Sequence, residues 1–246
     1  MISIIKIPFD ACIVEKARRG AAKGPDAILA ELGKHKFDIL EVKELNDFEA
    51  MHYEVESLAD KEYKKKNFVI GLGGDHSVSY GLMKSFSKHF KNSGLIYFDA
   101  HLDCEDDFLP PTHEDIVRAA VSEKFFAPEN ILMIGTRKSY PKEVKFVEEK
   151  KIKLGKIEDI KDFTKNKDSI YISIDIDVFD PKYAPGTGYP EADGLAPEQV
   201  LQVLKELSKI KKVKGLDVVE VSPIKDKDSM TSKLASKILM NFVQTG

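Results

Sequence analysis

Two histidines and four aspartates follow short apolar runs in this chain. One run ends in Gly73-Gly74-Asp75-His76-Ser77, a second in Asp99-Ala100-His101-Leu102-Asp103, and a third in Ser173-Ile174-Asp175-Ile176-Asp177. If the runs are strands, the alternation of side chains projects Asp99, His101 and Asp103 to one side, and Asp175 and Asp177 likewise. Taken singly, each segment has a plain structural reading. Asp75 and His76 beside two glycines can shape a tight turn, and the other two can be hydrogen-bonded strand ends. Their joint occurrence points elsewhere. Four carboxylates gathered at the end of an apolar sheet repel one another and resist desolvation unless cations neutralise them. Two divalent ions would match the charge of Asp99, Asp103, Asp175 and Asp177. Imidazole with carboxylate suits Mn²⁺, ahead of Fe²⁺, Co²⁺ or Zn²⁺, whereas two His ligands are unusual for Mg²⁺. Neither Cys12 nor Cys104 lies in a ligand-spaced cluster, which excludes a Cys-type zinc site. His35, His52 and His89 fall in Lys-rich stretches and are expected on the surface without a role.

The elements that must position these residues alternate along the chain. Strands are expected at Ser3–Ile7, Phe37–Val42, Asn67–Leu72, Gly94–Phe98, Ile131–Gly135, Lys151–Leu154, Ser169–Ile176 and Val213–Val221. Helical patterns fall at Pro25–Leu32, Phe48–Lys65, Ser77–Phe90, Glu114–Glu123, Lys142–Lys150, Pro197–Ile210 and Thr231–Phe242. Several strands are apolar on both faces, as in a parallel sheet covered on two sides. The expectation is a three-layer α/β/α sandwich with a mostly parallel sheet of about eight strands. In such sheets ligands bind at the carboxyl ends of the strands, where the aspartates and histidines stand.

With 246 residues and 42% hydrophobic side chains, the chain can fill one large core, and no repeat or linker divides it. A single domain over residues 1–246 is expected. Basic and acidic residues number 38 and 41, a net charge of −3, which argues against a nucleic-acid or membrane-surface binder. No apolar stretch approaches the roughly 20 residues of a bilayer span. With two cysteines and no signal-peptide pattern, a cytoplasmic protein is expected.

The ordered motifs resemble those of the arginase/agmatinase family of ureohydrolases. The resemblance begins with Arg19-Gly20-Ala21 and Gly24-Pro25-Asp26-Ala27-Ile28 and includes the three segments above. It continues through Ala184-Pro185-Gly186-Thr187-Gly188 and Glu220-Val221-Ser222-Pro223. It implies a binuclear manganese enzyme with two Mn²⁺ per subunit. His76 and Asp103 would complete one metal site and His101 and Asp177 the other, with Asp99 and Asp175 bridging. It further implies attack of hydroxide on a guanidinium carbon, giving urea and an amine. Asp103 would pass a proton toward the leaving nitrogen, Glu220 would pair with the guanidinium, and His113 would act as a proton shuttle. Two departures stand out: Glu114 follows His113 where the family usually has Gly, and Tyr189 through Asp193 replaces a more common Thr-Pro-Glu-Pro-Gly. A helix-capping role for His113 therefore stays open. Members of the family commonly form trimers or hexamers, so a homo-oligomer is implied.

The loop after Asp103 reads Cys104-Glu105-Asp106-Asp107. Acids there disfavour a substrate carboxylate and favour a cationic tail, since like-charge juxtaposition costs several kcal/mol in a desolvated site. Glu105 and Asp106, with Glu220, are the expected substrate contacts. Agmatine fits best, giving putrescine and placing the enzyme in polyamine biosynthesis. Arginine, guanidinobutyrate and formiminoglutamate are the alternatives, the last two needing a basic partner for which Arg137, beside Lys138, is the candidate. A non-catalytic metal-binding member is a further alternative, disfavoured by Glu220.

Overall fold

The computed structural model describes residues 1–33 and 37–243. Its eight strands are β1 (Ile2–Lys6), β2 (Asp38–Glu41), β3 (Phe68–Leu72), β4 (Ser93–Phe98), β5 (Ile131–Ile134), β6 (Lys153–Gly155), β7 (Ser169–Asp175) and β8 (Val213–Val219). They form one sheet in the order β2-β1-β3-β8-β7-β4-β5-β6. Every neighbouring pair is parallel. Between the strands lie α1 (Gly24–Leu32), α2 (Phe48–Lys64), α3 (Ser79–His89), α4 (Ile116–Ser122), α5 (Pro141–Lys150), α6 (Ile160–Lys165), α7 (Pro197–Leu207) and α8 (Met230–Val243).

Successive residues of a strand face opposite ways, so each apolar strand feeds two cores. Ile5, Leu95, Tyr97 and Tyr171 pack with Val55 of α2, Phe86 of α3, Val117 of α4 and Phe146 of α5. On the opposite face Ile4, Ile96, Ile170 and Ile172 pack with Ile28 of α1, Ile160 of α6, Leu204 of α7 and Ile238 of α8. The expected three-layer sandwich is thus present, with the sheet wholly parallel. The central strands are buried throughout, β4 and β7 at every residue. Among the described helices none is long and apolar enough to cross a membrane.

Two details depart from the sequence expectation. The short helix α6 was not expected, because six residues carry too little periodicity to register. His52, expected on the surface, is 3% exposed. It sits on the inner face of α2 with its Nε2 3.0 Å from the Pro111 carbonyl. His89 is partly buried and pairs with Asp60, while His35 lies outside the described residues.

Candidate active site at the carboxyl edge

Four strands adjacent in the sheet, β3, β8, β7 and β4, end beside one another, and a short loop leaves each. After β3 the chain makes a close pass: a Cβ at Gly74 would lie 1.7 Å from the Phe9 carbonyl oxygen, so only glycine fits. Asp75 then caps the turn. It accepts from Cys12 N at 3.1 Å and from Ser77 N and Oγ at 3.2 and 2.5 Å. Asp75 is therefore a structural residue, and burial raises its pKa to about 7. The turn sends His76 inward, where it is 1% exposed.

The aspartates converge, but not by strand alternation. Strand β4 stops at Phe98, before Asp99, and β7 stops at Asp175, before Asp177. At each strand end, just after β4 and as the last residue of β7, an aspartate bonds to the backbone two residues on: Asp99 Oδ1 accepts from His101 N at 2.7 Å, and Asp175 Oδ1 from Asp177 N at 2.8 Å. Such local bonds compete with the sheet ladder and turn the chain. Asp103 lies at φ 48° and Glu220 at φ 64°. Left-handed backbone at non-glycine residues costs of order 1–3 kcal/mol and persists where the surroundings enforce it. Here the Asp103 carbonyl accepts from Val117 N and Glu220 N donates to the Gly74 carbonyl. This left-handed turn also ends β8 at Val219, short of the expected Val221.

The outcome is a buried cluster. His76 Nδ1 lies 3.1 Å from Asp99 Oδ2, 3.2 Å from Asp103 Oδ2 and 3.4 Å from Asp175 Oδ2. His101 Nδ1 lies 2.9 Å from Asp177 Oδ2 and 3.4 Å from Asp99 Oδ1. His76, Asp99 and Asp103 form one triad able to hold a metal ion, and Asp99, His101 and Asp177 form another. In each, the donor atoms lie within 4.8 Å of one another, and Asp99 is common to both. Asp99 Oδ2 is buried and accepts no hydrogen bond. A buried carboxylate oxygen left so is costly unless a cation meets it. Mixed imidazole and carboxylate donors, two triads and a shared aspartate fit a pair of divalent transition-metal ions.

Without an ion the electrostatics are those of a crowded site. Burial, then Asp177 and Asp99, raises Asp175 well above the ordinary carboxylate range. Burial, then Asp99, raises Asp103. Burial opposes protonation of His76, yet the neighbouring carboxylates of Asp103, Asp175 and Asp99 outweigh it and hold its pKa well above the ordinary value. Burial, then Asp75, raises Glu220. Glu220 Oε1 accepts from His76 N at 2.8 Å, and its buried Oε2 has no partner.

Sequence reasoning missed the supports of this cluster. The Tyr97 ring stacks on His76 at 5.0 Å and 3°, and its hydroxyl donates to Asp103 Oδ2 at 2.5 Å. Ser173 Oγ lies 3.0 Å from His76 Nε2 and donates to Asp217 Oδ1 at 2.7 Å. Tyr171 donates to the other Asp217 oxygen at 2.7 Å. Orienting partners of this kind fix a ligand's tautomer and direction. The signal that could have revealed them is Asp217, a charge inside the apolar run of β8 that is fully buried and must be paired.

A cavity of about 90 Å³ opens above the aspartates, lined by His76, His101, Asp103, Glu105, His113, Glu114, Tyr140, Glu143, Asp175, Asp177, Tyr189 and Glu220. The loop acids divide. Glu105 lines the cavity, but the expected contact Asp106 does not: its side chain is 64% exposed and pairs with Lys142 at 2.7 Å. Asp107 is likewise exposed. His113 lines the cavity with its ring 5.7 Å from that of Tyr189, and its buried Nδ1 has no partner. Asp115 precedes α4, and its carboxylate, not His113, binds the loop by accepting from Phe108 N and Thr112 N. Arg137 is not a free cation: its guanidinium donates to the carbonyls of Gly135, Asp177, Val178, Glu191 and Ala192. Lys138 is exposed and outside the cavity lining.

Residues 1–244 match the Arginase family. An agmatinase of Bacillus subtilis (strain 168) is 32% identical over 197 residues, which cover 77% of this chain and 67% of the relative. An arginase of the same organism is 28% identical over 290 residues, covering 98% of this chain and 97% of the relative. The solved structure of agmatine ureohydrolase of Thermoplasma volcanium matches with a TM-score of 0.87 at 27% identity, covering 99% of this chain and 89% of that one. A family match over nearly the whole length, joined to paired carboxylate–imidazole triads at the edge of a parallel sheet, makes this chain a hydrolase of the arginase family.

Proposed function

We propose that the protein is a binuclear manganese agmatinase, converting agmatine and water to putrescine and urea. The observation that carries the substrate choice is the cavity lining, where seven of the twelve described residues are carboxylates and none is Lys or Arg. A substrate with a guanidinium at one end and an ammonium at the other suits that field, whereas a carboxylate would meet repulsion on a poorly screened path. Arg137, the basic partner that a carboxylate-bearing substrate would need, has its donors committed to main-chain carbonyls. Arg18 lies 4.4 Å from the Tyr189 ring, but it pairs with Glu15 at 2.6 Å and is outside the lining.

His76, Asp99, Asp103 and Asp175 would hold one ion, and Asp99, His101, Asp175 and Asp177 the other. A bound pair of divalent ions supplies a water of lowered pKa as a nucleophile near neutral pH. The protein's own groups do the rest. Glu220 directs its unpartnered Oε2 to the substrate guanidinium, with Oε1 anchored on His76 N. Asp103, steadied by Tyr97, accepts a proton and returns it to the departing amine nitrogen. His113, neutral because burial lowers its pKa, exchanges protons between the cavity and solvent. Glu105 and Glu114 at the mouth face the ammonium tail.

The test is release of urea by Mn²⁺-loaded protein given agmatine, arginine or guanidinobutyrate, and of formamide given formiminoglutamate. Agmatine should show the highest kcat/KM. Preference for any carboxylate-bearing substrate overturns the substrate choice, and no turnover of any of them overturns the assignment as a ureohydrolase.

A further inference from the structure

Arg137 follows β5 and stands among the segments that carry His101 and Asp177. A guanidinium has five N–H donors in a planar fork, and here all five are used. Nε donates to the Ala192 carbonyl at 2.8 Å, and Nη1 to those of Gly135 and Val178 at 3.0 and 3.3 Å. Nη2 donates to the carbonyls of Asp177 at 2.7 Å and Glu191 at 2.8 Å. The main chain of the same residue holds a third segment. Arg137 N and Lys138 N each donate to the Ala100 carbonyl at 2.9 Å, between Asp99 and His101.

This clamp is joined directly to one of the two triads. Ala100 N donates to Asp177 Oδ1 at 3.0 Å, and Asp177 Oδ2 lies 2.9 Å from His101 Nδ1. Glu191, whose carbonyl Arg137 holds, brings a carboxylate oxygen to 3.8 Å from His101 Nε2. The other triad has different supports. His76 and Asp103 are steadied by Tyr97, Ser173 and Glu220. Among the described residues Arg137 makes no hydrogen bond to that set.

We propose that Arg137 is a positioning residue for one ion site alone, that of Asp99, His101 and Asp177. Its backbone fixes the chain between Asp99 and His101, and its side chain fixes the main chain of Asp177 against it. The donor atoms of two loops are thereby kept at a common point. Charge is not what the clamp needs. A lysine ammonium carries the same charge, but its three donors at one atom cannot span carbonyls on separate segments. The inference rests on the binuclear reading and adds that the two ions depend on separate supports.

The test follows Mn²⁺ binding to the full-length protein by equilibrium dialysis with elemental analysis and by electron paramagnetic resonance. The unsubstituted protein should take two ions with an exchange-coupled spectrum. Loss of a group that orients ligands typically costs about 10- to 100-fold in metal affinity. Arg137→Lys should therefore weaken one ion about tenfold and Arg137→Ala up to about 100-fold, leaving the other ion within about threefold. At Mn²⁺ concentrations that fill only the tighter site, the coupled spectrum should give way to that of an isolated ion. Arg137→Lys added to Asp177→Asn should cost little beyond Asp177→Asn alone, because both act on the same ion. Should Arg137→Ala fail to fold, Arg137→Lys, which keeps the charge and a long stem, carries the comparison. Wild-type affinity for both ions in Arg137→Lys, equal weakening of both ions, or additive losses in the double variant overturns the proposal. A single ion in the unsubstituted protein overturns the binuclear reading instead, and is seen before any substitution is made.

Discussion

Asp103 and Asp106 stand three residues apart and carry the same functional group in opposite settings. Asp103 is 8% exposed, accepts from Tyr97 at 2.5 Å and lies 3.2 Å from His76. Asp106 has a side chain 64% exposed and pairs with Lys142 at 2.7 Å. Their pKa values move in opposite directions, Asp103 up through burial and the Asp99 charge, Asp106 down through its hydrogen bond to Lys142. Charge does not separate them. The backbone does: the left-handed Asp103, held by bonds from Val117 N and Arg118 N to its carbonyl, turns its carboxylate inward. Asp106 and Asp107, two and three residues further into the loop from Cys104, are exposed instead. A carboxylate contributes to a site when the chain around it forces it to face other charges.

That contrast is broken most severely by neutralising the strand-end side. Asp99→Asn should lose most bound metal and reduce kcat/KM by at least about 10³-fold, since one substitution affects both triads. Asp175→Asn should behave similarly, whereas Asp106→Asn should retain full metal content by elemental analysis. Metal content unchanged in both strand-end variants would refute the binuclear centre. Chelation should lower the Tm of the wild-type protein, because ions bound only by the native state stabilise it. The pH dependence has a definite sign. In the metal-free protein the aspartates hold His76 protonated above its ordinary range. Loading must then release protons, and metal affinity should fall as pH falls. Affinity rising toward acid pH would show that His76 is not a ligand.

The next largest effect separates chemistry from assembly. Glu220→Gln should keep both ions but lose roughly 10²–10³-fold in kcat/KM, in keeping with the several kcal/mol lost when one partner of a buried charged pair is removed. His113→Asn should cost about 10²-fold, the lower end for a proton-transfer residue, and should flatten the pH–rate profile. Wild-type kinetics across the pH range in His113→Asn would leave the ring only its packing against Tyr189.

The layers, strand sequence and functional edge of the fold were legible because burial writes itself into apolar runs such as Ile170–Ile174. The six residues proposed as ligands were legible because aspartate and histidine at three strand ends are hard to explain otherwise. What alternation could not supply was the way they meet. At their strand ends Asp99 and Asp175 bond to the backbone ahead, a local competition that no hydrophobic period encodes. Tyr97 and Ser173 read as ordinary strand residues, and their orienting role emerges only when His76 arrives from another strand. His52 was misread for the same reason: nearby charged residues suggested a surface, while tertiary packing placed it against Pro111. Arg137 looked free until five carbonyls from separate segments closed around it.

The smallest effect tests the loop side of the contrast, where specificity would be set. If Glu105 meets the ammonium tail of agmatine, Glu105→Gln should lower kcat/KM for agmatine about three- to tenfold, since a partly exposed ion pair is worth only about 1 kcal/mol. Its loss should leave arginine turnover level or slightly raised, because removing a carboxylate also removes repulsion toward the substrate's own. Asp106→Asn should change neither, its partner being Lys142 on α5 and not the cavity. Glu114→Gln, at the same mouth, should resemble Glu105→Gln if both face the tail. Raised salt should narrow the agmatine preference only partly, since charges within the cavity are less screened than those in open water. Steady-state kinetics of the three variants against both substrates decide the matter. An Asp106→Asn loss equal to that of Glu105→Gln would mean that the loop rearranges on binding and that the inward and outward acids differ less than their resting positions imply.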